Sequence, residues 1–321
     1  MRRFLVLAVL ALPAVPAFAA GFSSSGRGST AAEFLDRGVG ARAVAMGGAY
    51  SSVADDAGAM YWNPAALSRI WNRSATFMHA SYVGSSYFDY SAYGQNLGNG
   101  AAFGAGLQYF SAGGIAQTDA AGADAGSFNP YDLALSLGGA YNLDSLGGLD
   151  AAGLTALKGF SVGAAAKLIR SRILTTAQTE ALDFGVLSPA YMGERLRLAF
   201  TMTNLGGALK FDADKENLPL NFRLGGSYRI SDRWLAALDV NFPRNDSPYA
   251  ALGTEFQLAK SGPWKMTGRA GFNSETIGSI DGFSGVSVGI GLGYERLTVD
   301  YAFVPLGGLG QAHRMSLTCD F

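Results

Sequence analysis

Apolar and polar side chains alternate with a period of two along most of the chain, down to its last residue. In "AHRMSLTCDF", Met315, Leu317, Cys319 and Phe321 alternate with Arg314, Ser316, Thr318 and Asp320. Successive side chains of a strand point to opposite faces, so this pattern gathers the apolar groups on one side. "RLTVDYAFV" sets Leu297, Val299, Tyr301 and Phe303 against Thr298, Asp300 and Ala302. "GVSVGIGLGY" sets Val286, Val288, Ile290, Leu292 and Tyr294 against Ser287 and three glycines. "NFRLGGSYRI" repeats the pattern with Phe222, Leu224, Tyr228 and Ile230 against Arg223, Ser227 and Arg229. From Arg73 onward fourteen such segments can be read, over 73–83, 86–97, 100–111, 130–143, 158–174, 177–189, 194–204, 219–231, 233–243, 248–260, 263–273, 283–294, 295–305 and 310–321. An even strand count is what a single-chain bacterial outer-membrane barrel requires.

The connections give the wall a direction. Segments of even rank are mostly followed by tight turns, as at Ser231-Asp232 and Glu295, while odd ranks lead into longer links such as 112–129, 205–218 and 274–282. Short turns belong to the periplasmic side and long loops to the exterior. Trp71, Trp234 and Trp264 fall at the starts of odd-rank segments, hence at one interface, as an aromatic girdle predicts. The stretch 144–157, "DSLGGLDAAGLTAL", is long on the short-turn side and is expected to hold a periplasmic helix.

Composition narrows the choice of surroundings. Glycine supplies 44 of 321 residues and charged groups 15%, about twice the usual glycine and well below the ~25% charge of soluble domains. No apolar run beyond the N-terminus reaches the ~18 residues of a membrane helix. The opening "MRRFLVLAVLALPAVPAFAA" joins a basic pair, an apolar run and an Ala17-Phe18-Ala19 step, the pattern of a cleaved secretory signal peptide. The net charge of −1 carries no basic stripe, which argues against nucleic acid as a partner. Cys319 is the sole cysteine, so no internal disulfide forms. A soluble β-sandwich would alternate too. The closing aromatic, Phe321, favours the outer membrane, because barrel-assembly machinery reads such an ending as its assembly signal. The expectation is an all-β chain: a transmembrane antiparallel β-barrel of about fourteen strands. Its parts are a signal peptide (1–20), an N-terminal hatch (21–70) and the barrel (71–321).

Residues 21–70 do not alternate. "GARAVAMGGAYSSVADDAGAMYW" is rich in small residues and suits short helical turns broken at Gly47-Gly48. Fourteen strands enclose more space than their own side chains fill, so this segment is expected to plug the lumen. Its candidate hatch and lumen residues are Arg42, Met46, Gly47, Gly48, Asp55, Asp56, Trp62, Asn63 and Pro64. Asn63-Pro64 suits a sharp turn, the Asn side chain bonding to nearby backbone and Pro fixing φ. Asp55 and Asp56 are expected to pair with lumen-facing Arg223, Arg229 or Arg314. Glycines of "GIGLG" lie inside a strand without the setting of a dinucleotide fingerprint, and are expected to face the hatch.

"AAEFLDRGVGARAVAMGGAYSSVADDAGAMYWNPAAL" (31–67) resembles the N-terminal signature of the PorV/PorQ group, within the FadL-like (FadL/TodX) outer-membrane transporters. "NLGGAL", "LPLNFRLGGSYRI" and "VDYAFVPLGGLGQAHRMSL" (299–317) extend the resemblance along the chain. It implies a fourteen-stranded barrel with Asn63-Pro64-Ala65 in the hatch. FadL-like relatives pass hydrophobic molecules, the best studied through a lateral opening in the wall. PorV-like relatives serve type IX secretion and bind the C-terminal signal domains of exported proteins. Two functions therefore stand open: a channel for hydrophobic small molecules, and a secretion-accessory barrel. Both imply membrane lipid and the barrel-assembly machinery as partners, and no cofactor.

Enzyme chemistry has little to work with. Only His79 and His313 occur. His313 neighbours Ser316 in sequence but stands out of step with it in the alternation, and it reads as a polar rim residue. His79 shares a face with Phe77 and Ala75, at a lipid interface. The acidic "DADKEN" (212–217) offers alternating oxygen ligands without the spacing of an EF-hand loop, and reads as a solvated loop. The chain is expected not to be an enzyme.

Overall fold

The computed structural model describes residues 30–321, apart from 83, 148, 150, 151, 212, 213, 276 and 278–281. The signal-peptide reading lies outside the described residues. From Arg73 onward the alternating segments form one closed antiparallel barrel of fourteen strands. These are β1 (Arg73–Ser81), β2 (Tyr87–Gly98), β3 (Ala101–Ser111), β4 (Tyr131–Asn142), β5 (Ser161–Arg172), β6 (Thr176–Leu187) and β7 (Leu196–Gly206). The circuit continues with β8 (Asn221–Ser231), β9 (Trp234–Pro243), β10 (Tyr249–Ser261), β11 (Trp264–Asn273), β12 (Val286–Tyr294), β13 (Leu297–Pro305) and β14 (Gln311–Asp320). Each strand pairs with its neighbour in sequence, and β1 pairs with β14 from Ser74↔Asp320 to Ser81↔His313. Among the described residues the closed wall has no edge strand, which the hydrocarbon layer would penalise heavily.

The wall is turned inside out relative to a soluble protein. On β14, Ala312, Arg314, Ser316 and Thr318 are buried toward the lumen, while Met315 and Leu317 are exposed on the outer surface. Leu135, Leu137, Leu168, Leu224 and Leu252 join that outer surface, whereas Asp239, Asn241, Thr201 and Asp300 are buried inside. Lipid supplies the apolar contact that a core supplies elsewhere.

Even-rank strands end mostly in tight turns, as at 99–100, 232–233, 262–263 and 295–296. At that end Trp264 packs on Tyr294 with centroids 4.7 Å apart, and Trp234 meets Phe256 edge-on. By the length rule this is the periplasmic end. Among the described residues of 144–157 the expected helix does not form; instead there are two 3-10 turns, Leu143–Ser145 and Thr155–Leu157. Asn142 caps the first by accepting from the Asp144 N–H, and glycines at 147, 148 and 153 deprive the stretch of helix propensity. At the opposite end the two longest links carry hairpins, Ile115–Thr118 with Asp124–Phe128 and Ala208–Phe211 with Asp214–Asn217. The second hairpin meets the N-terminal segment, its Asn217 carbonyl accepting from the Ala31 N–H at 3.0 Å, and Leu209 on it and Leu218 and Leu220 after it are buried. Asp212, the first member of the acidic run, lies outside the described residues.

Candidate functional site

The segment 30–70 occupies the lumen. It comprises a 3-10 turn (Glu33–Asp36), α1 (Ala41–Ala45), α2 (Ala59–Trp62) and a second 3-10 stretch (Pro64–Arg69). Helix α1 touches β11 to β14, and Pro64–Arg69 touches β2 to β6, so the segment spans the pore from wall to wall. Small residues make this passage narrow enough to fit: Ala43, Ala45, Ala54, Ala57, Ala59, Ala65 and Ala66 are buried. α1 stops at Gly47 and Gly48, whose φ of 68° and 85° favour glycine. Asn63, in extended backbone, ends α2 and caps the second 3-10 stretch. Asn63 Oδ1 accepts from the Ala65 N–H at 3.0 Å, its Nδ2 donates to the Ser51 carbonyl at 3.0 Å, and Pro64 opens the 3-10 stretch.

Inward-facing glycines let the wall receive this segment. A Cβ on Gly289 would lie 2.5 Å from the Ala45 Cβ, and one on Gly253 2.5 Å from the Met46 carbonyl oxygen. Gly163, Gly185, Gly225 and Gly271 face the segment in the same way. Of the "GIGLG" glycines, Gly289 meets the hatch, while Gly291 makes room for Asp300 and Arg269.

Polar contacts lock segment to wall. Asp239 on β9 accepts from the N–H groups of Tyr50 and Ser51 at 3.1 and 3.0 Å and from the Ser51 hydroxyl at 2.9 Å. Ser287 on β12 donates to the Ala45 carbonyl and accepts from the Gly47 N–H. A chain of charges then runs from the segment onto one side of the wall, β10 to β13: Asp55–Arg42 at 2.6 Å, Arg42–Glu255 at 2.9 Å, Glu255–Arg269 at 2.6 Å and Arg269–Asp300 at 2.6 Å. Trp62 is buried, donates its indole N–H to the Val39 carbonyl at 3.0 Å, and lies under the Arg223 guanidinium. Met46 is fully buried beside the wall.

The expected partners of the acidic pair are corrected by these contacts. Asp55 and Asp56 do not meet Arg223, Arg229 or Arg314. Arg42 serves both, and Arg69 approaches Asp55 at 3.8 Å. The segment folds back on itself, so its own flanking arginines arrive first. Arg223 instead donates to Asn241 at 2.7 Å, Arg314 to Tyr82 at 2.7 Å and to the Gly38 carbonyl, and Arg229 lines a cleft at the turn end. Enclosure opposes ionisation of Asp55, but Arg42 and Arg69 outweigh it and hold the carboxyl below its ordinary value. For Asp56, burial prevails over Arg42 and pushes the pKa up to about 6. Its Oδ2 accepts from Tyr50 Oη at 3.0 Å and its Oδ1 from the Gly58 N–H at 2.8 Å.

Two cavities flank the segment. The one at the loop end, about 430 Å³, has an aromatic side formed by Tyr61, Trp62, Tyr82 and Tyr249, with charged groups opposite. The one at the turn end, about 270 Å³, is rimmed by Arg42, Arg69, Arg195, Arg197 and Arg229. The wall residues Asp239, Glu255, Arg269 and Asp300 were not singled out from the sequence. Their signal was present: each is a charge on the small-residue face of an alternating strand.

Fold and filled lumen together define an outer-membrane β-barrel with an N-terminal segment lodged in its pore. The model of the family described as type IX secretion system protein PorV matches residues 25–233, well over half of the chain. The chain belongs to that family. Among solved structures it is similar to the toluene transporter TodX of Pseudomonas putida, at 14% identity over 88% of this chain and 96% of that one, with a TM-score of 0.57. A FadL homologue of Pseudomonas aeruginosa follows at 13% identity, 88% and 98% coverage and a TM-score of 0.56. The CymD monoaromatic hydrocarbon channel gives 14%, 88% and 98%, and 0.54. At such identities the likeness speaks for the fold alone. No curated protein matches the chain.

Proposed function

We propose that the protein is a hatch-gated outer-membrane channel of FadL-like type for hydrophobic small molecules. The observation that carries this reading is the pair of cavities separated by one wedged segment. A substrate entering from the loop end meets the aromatic side of Tyr61, Trp62 and Tyr82, and continues only if residues 30–70 shift. Structural likeness to the toluene transporter TodX and the monoaromatic hydrocarbon channel CymD supports the substrate class. Export through a cleaved N-terminal segment 1–20 completes the reading. The lumen is taken as non-catalytic: both histidines face outward.

Family membership favours a second reading, in which the barrel docks the C-terminal signal domains of exported proteins and the hatch stays shut. Transport separates the two. Ser227 Oγ lies 3.4 Å from the Ser52 carbonyl, so Ser52→Cys with Ser227→Cys, in a Cys319→Ser background, would tether hatch to wall. A gated channel takes toluene into proteoliposomes, loses that uptake when cross-linked, and regains it on reduction. Uptake equal to that of protein-free vesicles, together with capture of a signal domain, would favour docking.

A further inference from the structure

The outer surface of the barrel holds a constellation that neither reading uses. His79 and Ser81 stand two residues apart on the outward face of β1, at its loop end. Asp89 is the register partner of His79 across β2. Asp89 Oδ1 lies 2.6 Å from His79 Nδ1, and His79 Nε2 lies 3.3 Å from Ser81 Oγ. This is the order of an acid–base–nucleophile relay: the carboxylate fixes the ring so that Nε2 can accept the hydroxyl proton. His79 and Ser81 are exposed on the outer surface and Asp89 is half-buried beside them, so a membrane lipid can reach the pair from the side.

Position supplies the substrate class. Tyr87, Tyr109 and Tyr131 form a row with successive centroids 6.0 Å apart, at the loop ends of β2, β3 and β4. Such aromatic belts mark the level of the lipid headgroups, where the ester carbonyls of a glycerolipid also lie. Beside the relay runs an outward groove of about 550 Å³ lined by Phe77, Leu107, Val299, Met315 and Leu317. That volume lies within the ~300–1,000 Å³ of small-molecule sites, and the apolar lining suits an acyl chain. Across β14 the register partner of Ser81 is His313, whose Nδ1 lies 2.7 Å from Tyr301 Oη. In the tautomer that accepts from the Tyr301 hydroxyl at Nδ1, His313 carries an Nε2–H on the strand beside Ser81, the kind of donor a developing oxyanion needs.

We propose that Ser81, His79 and Asp89 hydrolyse an acyl ester of a lipid lying against the barrel wall. Ser81 Oγ bonds to the ester carbonyl carbon as its proton passes to His79 Nε2, and the carbonyl π pair moves onto oxygen. Collapse breaks the carbon–alkoxide bond, and the departing alcohol takes the proton from His79. Water then attacks the acyl-serine, giving its proton to His79. The Ser81 Oγ–acyl bond breaks, Ser81 Oγ recovers the proton, and a free fatty acid is released. Asp89 orients the ring throughout.

The test uses purified full-length barrel in phosphatidylcholine vesicles doped with a fluorogenic acyl-ester phospholipid. Ester release above that of protein-free vesicles is expected, with a loss of about a thousandfold in Ser81→Ala and in His79→Gln. A fluorophosphonate probe should modify Ser81, located by peptide mass spectrometry, in the parent and not in Ser81→Ala. Heat-dependent gel mobility confirms that each variant is folded, since the wall pairs through backbone rather than through these outward side chains. Release no greater than the blank, or equal release by parent and Ser81→Ala, would overturn the proposal.

Discussion

Asp56 couples the hatch to pH. Its carboxyl is buried and its pKa is pushed from 3.8 up to about 6 while the segment is docked. A raised carboxyl pKa means that the docked state binds the extra proton between those two values. Its contribution to docking is therefore complete below about 3.8, fades as pH rises through the window, and is gone above about 6. The full swing amounts to about 3 kcal/mol, at ~1.36 kcal/mol per unit. Asp55 works in the opposite sense: with its pKa lowered, its share is present above 3.8 and is lost only as pH falls below. Protease digestion of residues 30–70 should accordingly quicken between pH 5 and pH 7. Asp56→Asn should flatten that dependence and slow digestion at pH 7. An unaltered pH profile in Asp56→Asn would assign the effect to another group.

At the scale of elements, strand and segment interlock through absent side chains. A Cβ on Gly271 would collide with the Gly47 and Met46 backbone, and one on Gly47 would lie 2.7 Å from the Phe272 N. Gly271→Val should therefore displace α1, exposing the segment to protease while the barrel keeps its heat-dependent mobility. Gly293→Val on β12 is the control, because nothing lies closer than 3.5 Å to its Cβ. Phe321 acts at the seam. Its N–H and carbonyl exchange hydrogen bonds with Arg73 at 2.9 Å, and its ring faces Tyr93. Phe321→Asp keeps the backbone pairing but removes the terminal aromatic, so folded protein in the outer membrane should fall several-fold on immunoblots. Parent-like levels would show that the terminal ring is dispensable.

Those elements were legible in the sequence to different degrees. All fourteen wall strands were readable to within about three residues, because lipid outside and small or polar groups inside enforce strict alternation. The segment 30–70 was legible as a filler from its lack of period and its alanines. Its partners were not. Nothing in spacing reveals that Arg42 and Arg69 would claim Asp55, or that Asp239, nearly two hundred residues away, would hold Tyr50 and Ser51. Likewise His79 was placed correctly on the outer face, yet its contact with Asp89 depends on cross-strand register. That register emerges only when the β1–β2 link is closed.

For the whole molecule, the wall and the filler are separable structures. The strands satisfy one another's backbone groups, so the barrel does not need the segment in order to close. The segment, by contrast, rests on the wall through Asp239, Ser287, Glu255 and a row of glycines. Removing it empties a lumen that fourteen strands make wide enough to carry water. The loop-end and turn-end cavities would merge into one pore. Planar-bilayer recording of the parent protein beside a variant lacking residues 30–70 tests this directly. A parent that is silent or rarely open and a deletion variant with steady, much larger conductance are expected. Equal and low conductance in both folded barrels would contradict this, and would place the seal in the wall and loops instead of the hatch.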